Sequence, residues 1–390
     1  MELILKQYDI PLLRFSATND SSTPEIKVHW INEDQRRLLP LDMELSPEGI
    51  SLWMRRRTIP RNRAYVNRLL AKCGLNANRP MGILALCKGL SVDDSYWVVE
   101  EGFEGTFEKY NLFENRFSEV LALIAFTGYG SSNRSSLASS PEFTTNGMLP
   151  KCWRRISGKV TLYKGGTDGG YNTGAEPYCE YYAAQVAATM GIDAIPYSLS
   201  QWKGRFCSTC ELFTDIDHAY MPIGNLVQRG GFDAVAAYYE KLGEPFQKAF
   251  RDMLVFDAVI CNTDRHYSNF GFMIDNKTNT IAAPAPLFDH GNSLFNQAGP
   301  EDYESPEAFQ QYIDTLVPCV YDDFFATAKR FMADENREQL RKLLGFRFKR
   351  HVRYNLPPKR LKLMEEQVRK RAMRLLENKE YAQSYYFTKK

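Results

Sequence analysis

Three polar residues between Cys261 and Gly291 have the types and spacing that phosphoryl transfer requires. Asp264 is followed five positions later by Asn269, and Asp289 comes after a short predicted hairpin, within Phe-Asp-His-Gly. Transfer of a phosphoryl group from ATP needs a carboxylate that accepts the proton of the attacking hydroxyl, and an Asn and an Asp that hold magnesium on the phosphates. Each residue alone could simply stabilise a turn. Together, with apolar residues on both sides, they indicate a kinase-type site.

The same Asp-to-Asn interval occurs in the catalytic loop of protein kinases, although His266 here follows the Asp instead of preceding it. Such enzymes also need a loop that covers the ATP phosphates and a strand lysine that pairs with a helix glutamate. Candidates occur upstream in the expected order, namely the loop from Thr144 to Lys151 with Gly147, then Lys164 at a strand end, then Glu180 on a helix. Their order supports the assignment, because a lone lysine at a strand end would otherwise be an ordinary surface residue.

The predicted elements form a β-rich part followed by a helical part. Two strand–turn–strand segments, 152–164 and 197–213, flank a helix that is predicted to begin at Pro177 and to stop at Gly191. A further helix is predicted over 113–126 from its apolar spacing. From Phe232 onward the pattern is helical, with one interruption at 262–296. This order predicts an α+β, bilobal protein-kinase-like fold with a β-rich N-lobe and a helical C-lobe.

We expect three regions along the chain. Residues 1–130 form an N-terminal α/β region that belongs to or packs on the N-lobe, residues 131–215 form the ATP-binding core of that lobe, and residues 216–390 form the helical C-lobe. Six of the ten residues from 131 to 140 are serine, which predicts a mobile loop or linker at the first boundary.

Composition excludes several classes of protein. The chain has 390 residues, of which 44% are hydrophobic and 25% charged, as is ordinary for a globular protein. Its length indicates two to three domains, or one large bilobal unit. The longest unbroken apolar run, Val120 to Phe126, is far shorter than the ~20 residues that a membrane-spanning helix needs. The eight cysteines lie mostly among apolar neighbours, which is typical of reduced thiols rather than of a disulfide framework. We therefore expect a soluble, cytoplasmic protein with no membrane partner.

The net charge of +2 hides an uneven distribution. Residues 337–379 contain fifteen Lys or Arg and four Glu, so this segment carries +11 and the rest of the chain carries −9. A basic C-terminal segment suggests an anionic partner such as RNA, an acidic protein surface or a phosphorylated substrate. The alternative is a solvated helix face beside an acidic lobe of the same chain.

With these motifs, the chain resembles the HipA-like serine/threonine kinases over residues 141–300, and its Asp-Arg-His-x-x-Asn loop is also similar to that of phosphatidylinositol kinases. The resemblance implies that Asp264 is the catalytic base with His266 supporting the loop, and that Asn269 and Asp289 bind Mg²⁺. It also implies a set of ATP contacts, which are the loop containing Gly147 and Lys151, the strand residue Lys164, the helix residue Glu180 within Cys-Glu-Tyr-Tyr, and the hinge residues Glu211 and Phe213.

Two residues depart from the family pattern. Arg265 replaces a small residue, and Thr144 occupies the region where the family has an autophosphorylated serine. Thr144 and Thr145 are thus candidate autophosphorylation sites, and the alternative is that both merely hydrogen-bond the turn. The first 130 or so residues match the family poorly.

The resemblance implies an ATP- and Mg²⁺-dependent kinase whose substrate is a protein, and it implies a toxin with a DNA-binding antitoxin as partner. Two other hypotheses remain open. One is a kinase for a lipid or a small molecule, because the catalytic loop also suits phosphatidylinositol kinases. The other is an inactive module that binds a nucleotide, or binds nucleic acid through residues 337–379.

Overall fold

The structure is a computed structural model that describes residues 1–18, 24–130, 140–170 and 172–377. The serine-rich stretch up to residue 139, and residues 378 and 379 of the basic segment, lie outside this range. The chain divides into two compact units. The first consists of Met1–Pro177, Ile195–Gln228 and Tyr267–Pro286, and the second consists of Tyr178–Ala194, Arg229–His266 and Leu287–Lys390. The three regions expected from the sequence remain a prediction.

The first unit begins with a four-stranded antiparallel sheet. Its strands, in the order β3-β2-β1-β4, are β1 (Glu2–Gln7), β2 (Ile10–Ala17), β3 (Ile26–Ile31) and β4 (Tyr96–Glu100). Alternate residues of β1 are buried, as expected of a strand with one face on a core. The intervening helices are α1 (Pro47–Arg56), α2 (Val66–Lys72) and α3 (Pro80–Cys87). Leu5 of β1 shares a buried cluster with Trp53 of α1 and Leu84 of α3.

Two short helices follow this sheet. They are α4 (Phe107–Tyr110) and α5 (Glu119–Thr127). The helix predicted over 113–126 is therefore wrong in its first half. Ser118 accepts a hydrogen bond from the amide of Leu121 and so caps α5, which explains why the helix begins later than the apolar spacing suggested. Gly128, with φ +76°, ends it.

The second sheet has the order β5-β6-β8-β7 and is built from β5 (Lys151–Ile156), β6 (Lys159–Gly165), β7 (Ser198–Trp202) and β8 (Arg205–Glu211). The predicted hairpins are confirmed. Each has a two-residue turn, Ser157-Gly158 or Lys203-Gly204, in which both residues have positive φ. Turns of this kind match the twist of the paired strands. Between β6 and β7 lies α6 (Ala175–Met190), which begins two residues before Pro177 and ends at Gly191 as predicted.

A third, three-stranded sheet completes the first unit. Its order is β11-β10-β9, with β9 (His218–Pro222), β10 (Gly271–Asp275) and β11 (Thr280–Pro284), and the short helix α7 (Ile223–Leu226) follows β9. The predicted β10–β11 hairpin is confirmed. The carboxylate of Asp275 accepts hydrogen bonds from the amides of Lys277 and Thr278, at 2.8 and 2.9 Å, and closes the turn.

The second unit is helical. Besides most of α6 it contains α8 (Gly231–Leu242), α9 (Glu244–Ile260), α10 (Pro306–Asp314), α11 (Phe324–Phe331), α12 (Asp334–Arg341) and α13 (Pro358–Leu376). The C-terminal half of α9 is buried, and α8, α11, α12 and α13 all pack against this helix. Among the described helices, none is both long and apolar enough to cross a membrane.

Candidate active site

The loop that carries Asp264 begins where α9 ends. Cys261 has φ +53°, and its amide donates to the carbonyl of Asp257, which terminates the helix in a left-handed cap. Asn262 then fixes the turn. Its side-chain amide donates to the Asp257 carboxylate at 3.1 Å, and its side-chain oxygen accepts from the amide of Asp264 at 3.1 Å. The backbone of Asp264 is thus held by residues of the helix end.

Arg265 makes a buried ion pair with Asp257. The side chains are 1% and 0% exposed, and two parallel hydrogen bonds of 2.9 and 3.0 Å join the guanidinium to the carboxylate. Burial alone would lower the pKa of Arg265, but the Asp257 carboxylate outweighs it and the pKa lies above its usual value. Paired arginines and carboxylates of this fork geometry are among the strongest charge-assisted contacts in proteins.

The same guanidinium joins the loop of the predicted base, Asp264, to the loop of a predicted magnesium ligand, Asp289. Arg265 donates to the carbonyl of Phe288 at 2.7 Å and lies 3.1 Å from Nδ1 of His290. These two residues flank Asp289, and Arg265 itself directly follows Asp264. Within the second unit, one buried side chain therefore holds together the segment of Asp264, the predicted base, and the segment of Asp289, a predicted magnesium ligand.

Asp289 has a left-handed backbone conformation. Its φ is +56°, in a region that is uncommon for residues other than glycine and in which Asn and Asp are enriched. The contacts of Arg265 with its two neighbours hold it there, and Ser293 closes the following turn by donating to the carbonyl of His290 at 2.7 Å. Strained conformations of this kind concentrate at functional sites, where the surrounding structure over-determines them.

The carboxylate of Asp264 accepts a hydrogen bond of 2.8 Å from the side-chain amide of Asn292. The backbone of Asn292 is held as well, because its carbonyl accepts from both the amide and the hydroxyl of Thr263 at 3.1 Å. Sequence reasoning missed both Asn292 and Asp257. One feature of the sequence could have pointed to Asn292, because it directly follows the Asp-His-Gly segment that begins at Asp289.

The other residues of the predicted loop are placed as follows. The amide of His266 donates to the carbonyl of Asp264 at 2.9 Å, so this residue closes a tight turn, and its side chain is exposed. Asn269 belongs to the first unit, where it is 5% exposed and lies two residues before β10. Its neighbour Phe270 accepts a hydrogen bond from the amide of Ile223 at 3.0 Å.

Two lysines of the first unit occupy directly opposite positions in neighbouring strands. Lys151 begins β5 and pairs in register with Lys164 of β6, and each residue is only 7% exposed. The ammonium of Lys151 donates to the carbonyl of Asn146 at 2.9 Å, and a Cβ at Gly147, whose φ is +90°, would collide with it. The positive φ therefore favours glycine at that point of the loop.

A second buried ion pair closes the ends of this loop. Arg63 and Glu142 are both fully buried and joined at 2.6 Å. Arg63 also donates to the carbonyl of Lys151 at 2.8 Å, and Glu142 accepts from the amide of Trp153 at 2.8 Å. Burial raises the pKa of Glu142, and the guanidinium of Arg63 opposes that rise. Residues 144–150 thus run between two fixed points, which the sequence did not reveal.

Both candidate threonines hydrogen-bond within the protein. The hydroxyl of Thr144, which is 4% exposed, donates to the carbonyl of Leu90 at 2.9 Å. The hydroxyl of Thr145 donates to the carbonyl of Pro141 at 2.7 Å and accepts from the indole of Trp153 at 3.0 Å. The bond from Thr145 to Pro141 is a turn contact of the kind that the alternative to autophosphorylation predicts. Autophosphorylation of either threonine stays a hypothesis.

The remaining candidates lie in different units. Glu180 of α6 is fully buried in the second unit, whereas Lys164 belongs to the first, and their pairing stays a prediction. Glu211 ends β8 and makes an exposed ion pair with Lys159 at 2.8 Å. Phe213 packs edge-on against the ring of Tyr220, with the centroids 5.4 Å apart. Adenine binding by Glu211 and Phe213 also stays a prediction.

Many basic side chains of the segment 337–377 are engaged inside the second unit. Examples are the ion pair of Arg350 with Glu365 at 3.1 Å and the hydrogen bonds from Lys342, Arg369 and Arg371 to backbone carbonyls. Leu361, Met364, Val368, Ala372 and Leu375, which form the apolar stripe of α13, are all buried. These contacts fit the interpretation of a helix packed on its own lobe, and nucleic-acid binding by this segment stays a prediction.

Antiparallel sheets in one unit and helices in the other define a bilobal protein-kinase-like fold of the α+β class, as predicted. Among solved structures, the chain is similar to HipA of a Shewanella oneidensis MR-1 toxin–antitoxin system, whose structure also contains HipB and operator DNA. The sequences are 14% identical, the match covers 96% of this chain and 97% of that one, and the TM-score is 0.52. The chain therefore shares the fold of that HipA structure.

A second similar structure is CtkA, a proinflammatory kinase of Helicobacter pylori. It is 15% identical, with 60% of this chain and 90% of that chain covered and a TM-score of 0.47. No protein-family model and no curated protein matches the sequence.

Proposed function

We propose that the protein is a kinase that uses ATP and Mg²⁺ to phosphorylate a serine or threonine hydroxyl of a protein. One observation carries this proposal most directly. In the second unit, the buried guanidinium of Arg265 holds together the loops of Asp264 and Asp289. A pair of carboxylates in fixed relative positions, one to accept a proton and one to bind a metal ion, is what phosphoryl transfer requires of the protein.

In the proposed reaction, the hydroxyl oxygen of the substrate forms a bond to the γ-phosphorus, and the bond from that phosphorus to the bridging β,γ-oxygen breaks. The hydroxyl proton passes to the carboxylate of Asp264, and ADP is the leaving group. Lys151 and Lys164, which face each other in register on β5 and β6 directly after the loop that contains Gly147, would bind the ATP phosphates.

The residues assigned to magnesium fit that ion in their chemistry. Asn269 offers an amide oxygen and Asp289 a carboxylate, and Mg²⁺ prefers such oxygen ligands, with phosphates and waters completing its shell. Within the described residues no cluster of three or more His, Cys, Asp or Glu side chains forms a metal site. When bound, Mg²⁺ would neutralise negative charge on the ATP phosphates.

We propose further that the protein acts in the cytoplasm as the toxin of a toxin–antitoxin pair, with a DNA-binding antitoxin as partner. The support is the HipA structure that shares its fold, which was solved with HipB and operator DNA. Expression of the protein should then arrest growth of a bacterial host, and Asp264→Asn should grow normally at equal expression. Growth arrest by both forms would contradict a toxic kinase activity.

The test of the enzymatic proposal is incubation of the purified protein with γ-labelled ATP, Mg²⁺, a bacterial lysate and, in a separate reaction, lipid vesicles. Labelled protein with phosphoserine or phosphothreonine after acid hydrolysis supports the proposal. Labelled lipid or small molecules alone would instead assign a lipid or small-molecule kinase. ATP binding without transfer to any acceptor would assign an inactive nucleotide-binding module.

The control is Asp264→Asn. Proton acceptance and positioning act in the transition state rather than in nucleotide binding, so this substitution should lower the transfer rate by roughly 10²–10⁴-fold. The affinity for ATP and the melting temperature should change little. Retention of more than about a tenth of the rate would remove Asp264 from the role of base.

A further inference from the structure

The segment that follows Asp289 carries two asparagines that the proposed mechanism does not use. The side-chain amide of Asn292 donates to Oδ2 of Asp264 at 2.8 Å, and its side-chain oxygen accepts from the amide of Asn296 at 2.9 Å. Asn292 is partly buried and Asn296 is 4% exposed. The three side chains thus form a continuous chain of hydrogen bonds that ends on the proposed base.

The direction of this chain is set by the chemistry of the amide group. An asparagine side chain has a donor end and an acceptor end. Asn296 donates to the acceptor end of Asn292, so the donor end faces the carboxylate of Asp264. Exchange of the two ends would bring the amide oxygen of Asn292 against the carboxylate oxygens of Asp264, which is unfavourable.

The backbone around the two asparagines is held as firmly as their side chains. The amide of Leu294 donates to the carbonyl of Ile260 at the end of α9, at 2.7 Å. Leu294 and Phe295 both have positive φ, +48° and +64°, and are at most 2% exposed. A backbone strained at two consecutive buried residues, directly before Asn296, is typical of segments whose geometry serves a function.

We propose that Asn292 is a positioning residue for the base. Its amide holds the carboxylate of Asp264 in the orientation that accepts the substrate proton, and Asn296 fixes the direction of that amide. This inference rests on the proposed kinase function and deepens it. A hydrogen bond to a charged group contributes more than one between neutral groups, so its loss has a measurable effect on the rate.

The test compares Asn292→Ala with Asn292→Asp in the full-length protein. Asn292→Ala removes the donor and leaves space, and we expect kcat to fall about 10- to 100-fold with little change in KM for ATP. Asn292→Asp has nearly the same shape but places a second acceptor, without a donor, beside the carboxylate of Asp264. It should therefore lower kcat at least as much. Asn296→Ala should act in the same direction but more weakly.

The matched control is Asn336→Ala. Asn336 also donates from its side-chain amide to an aspartate of the second unit, Asp252, at 2.7 Å, and it is 1% exposed. This variant should lower the melting temperature at least as much as Asn292→Ala and leave kcat within about twofold, because Asp252 has no part in the proposed chemistry.

Three outcomes separate the possibilities. A fall in kcat for both Asn292 variants but not for Asn336→Ala supports the inference. Near-normal kcat for Asn292→Asp, with a loss only in Asn292→Ala, would show that the residue merely fills space and would overturn the inference while leaving the kinase function intact. A wild-type protein that transfers no phosphate would overturn the proposed function, and the inference with it.

Discussion

Replacement of Arg265 by methionine should destabilise the second unit without a comparable effect on the first. The substitution keeps a long apolar stem but removes the guanidinium, and with it both bonds to Asp257 and the bond to the carbonyl of Phe288. The Asp257 carboxylate, which is fully buried, is then left with the 3.1 Å hydrogen bond from the side chain of Asn262 as its main remaining side-chain contact.

The size of the effect follows from the cost of an uncompensated buried charge. Removal of one partner of a buried ion pair typically costs about 3–5 kcal/mol. The bond from Asn262 reduces this cost, and the loss of the bond to Phe288 adds about 1 kcal/mol. We therefore expect a loss of about 4 kcal/mol in the free energy of unfolding. With a urea dependence of about 2 kcal/mol/M, the midpoint should fall by about 2 M.

Two spectroscopic probes separate the units. All five tryptophans, at positions 30, 53, 97, 153 and 202, belong to the first unit, so tryptophan fluorescence reports its unfolding. Far-UV circular dichroism at 222 nm is dominated by the helices, most of which belong to the second unit. Urea titrations followed by both probes should show the larger shift in circular dichroism.

The decisive control is the double variant Asp257→Leu with Arg265→Met. It removes the orphaned charge, and replacement of buried ion pairs by apolar residues is often nearly neutral. The double variant should therefore recover about half of the lost stability, the remainder being the contacts with Phe288 and Asn262. A double variant as unstable as Arg265→Met, or a single-variant midpoint shift below about 0.5 M, would refute the reasoning.

Three further predictions concern the nucleotide, pH and modification. Asp289→Ala should weaken ATP binding, measured by calorimetry, more in the presence of Mg²⁺ than in its absence. Asn269→Ala should have the same effect less strongly, because an amide carries no charge. Equal effects of Asp289→Ala with and without Mg²⁺ would place Asp289 outside the metal site. Burial raises the pKa of Asp93 to about 6, so the folded state binds its proton more tightly than the unfolded state, and stability should fall as pH rises from about 4 to about 6. Asp93→Asn should abolish that dependence and add about 1–2 kcal/mol at pH 7, a value reduced for the partial exposure of the residue; an unchanged pH profile in urea titrations would contradict this. If the loop is autophosphorylated, mass spectrometry should find phosphate on the partly exposed Thr145 before it finds phosphate on the buried Thr144. The modification should also lower the affinity for ATP. Phosphate on Thr144 first, or an unchanged affinity for ATP, would contradict the prediction.

The sequence was sufficient for features that depend on neighbouring residues. The hairpins at 152–164, 197–213 and 271–284 follow from turn residues between apolar runs, and each is present. The loop from Asp264 to Asn269 was recognisable because its residues are close together in the chain. The order of strands before helices was enough to predict the fold class, because a run of strands followed by a run of helices is typical of α+β proteins.

Contacts between distant residues were not predictable in the same way. Asn292 and Asp264 are 28 positions apart, and Arg63 and Glu142 are 79 positions apart, so no local pattern connects either pair. From the sequence, Arg265 stood out only because it differs from the residue that the family has at this position. In the structure, its buried guanidinium holds two loops together. The late start of α5 was missed for another reason, because the cap at Ser118 outweighs apolar spacing that continues upstream.

The division of the chain into interleaved segments has a consequence for its synthesis. The polypeptide passes from one unit to the other five times, and β9 precedes its partner β10 by about 50 residues. At about 5–20 residues per second, translation leaves β9 without β10 for roughly 2.5–10 s. The first two sheets involve no strand beyond residue 211, so a nascent chain can complete them in that interval. An exposed strand edge invites pairing with other chains. Slow codons between positions 222 and 271 should therefore lower the soluble yield of an otherwise unchanged protein.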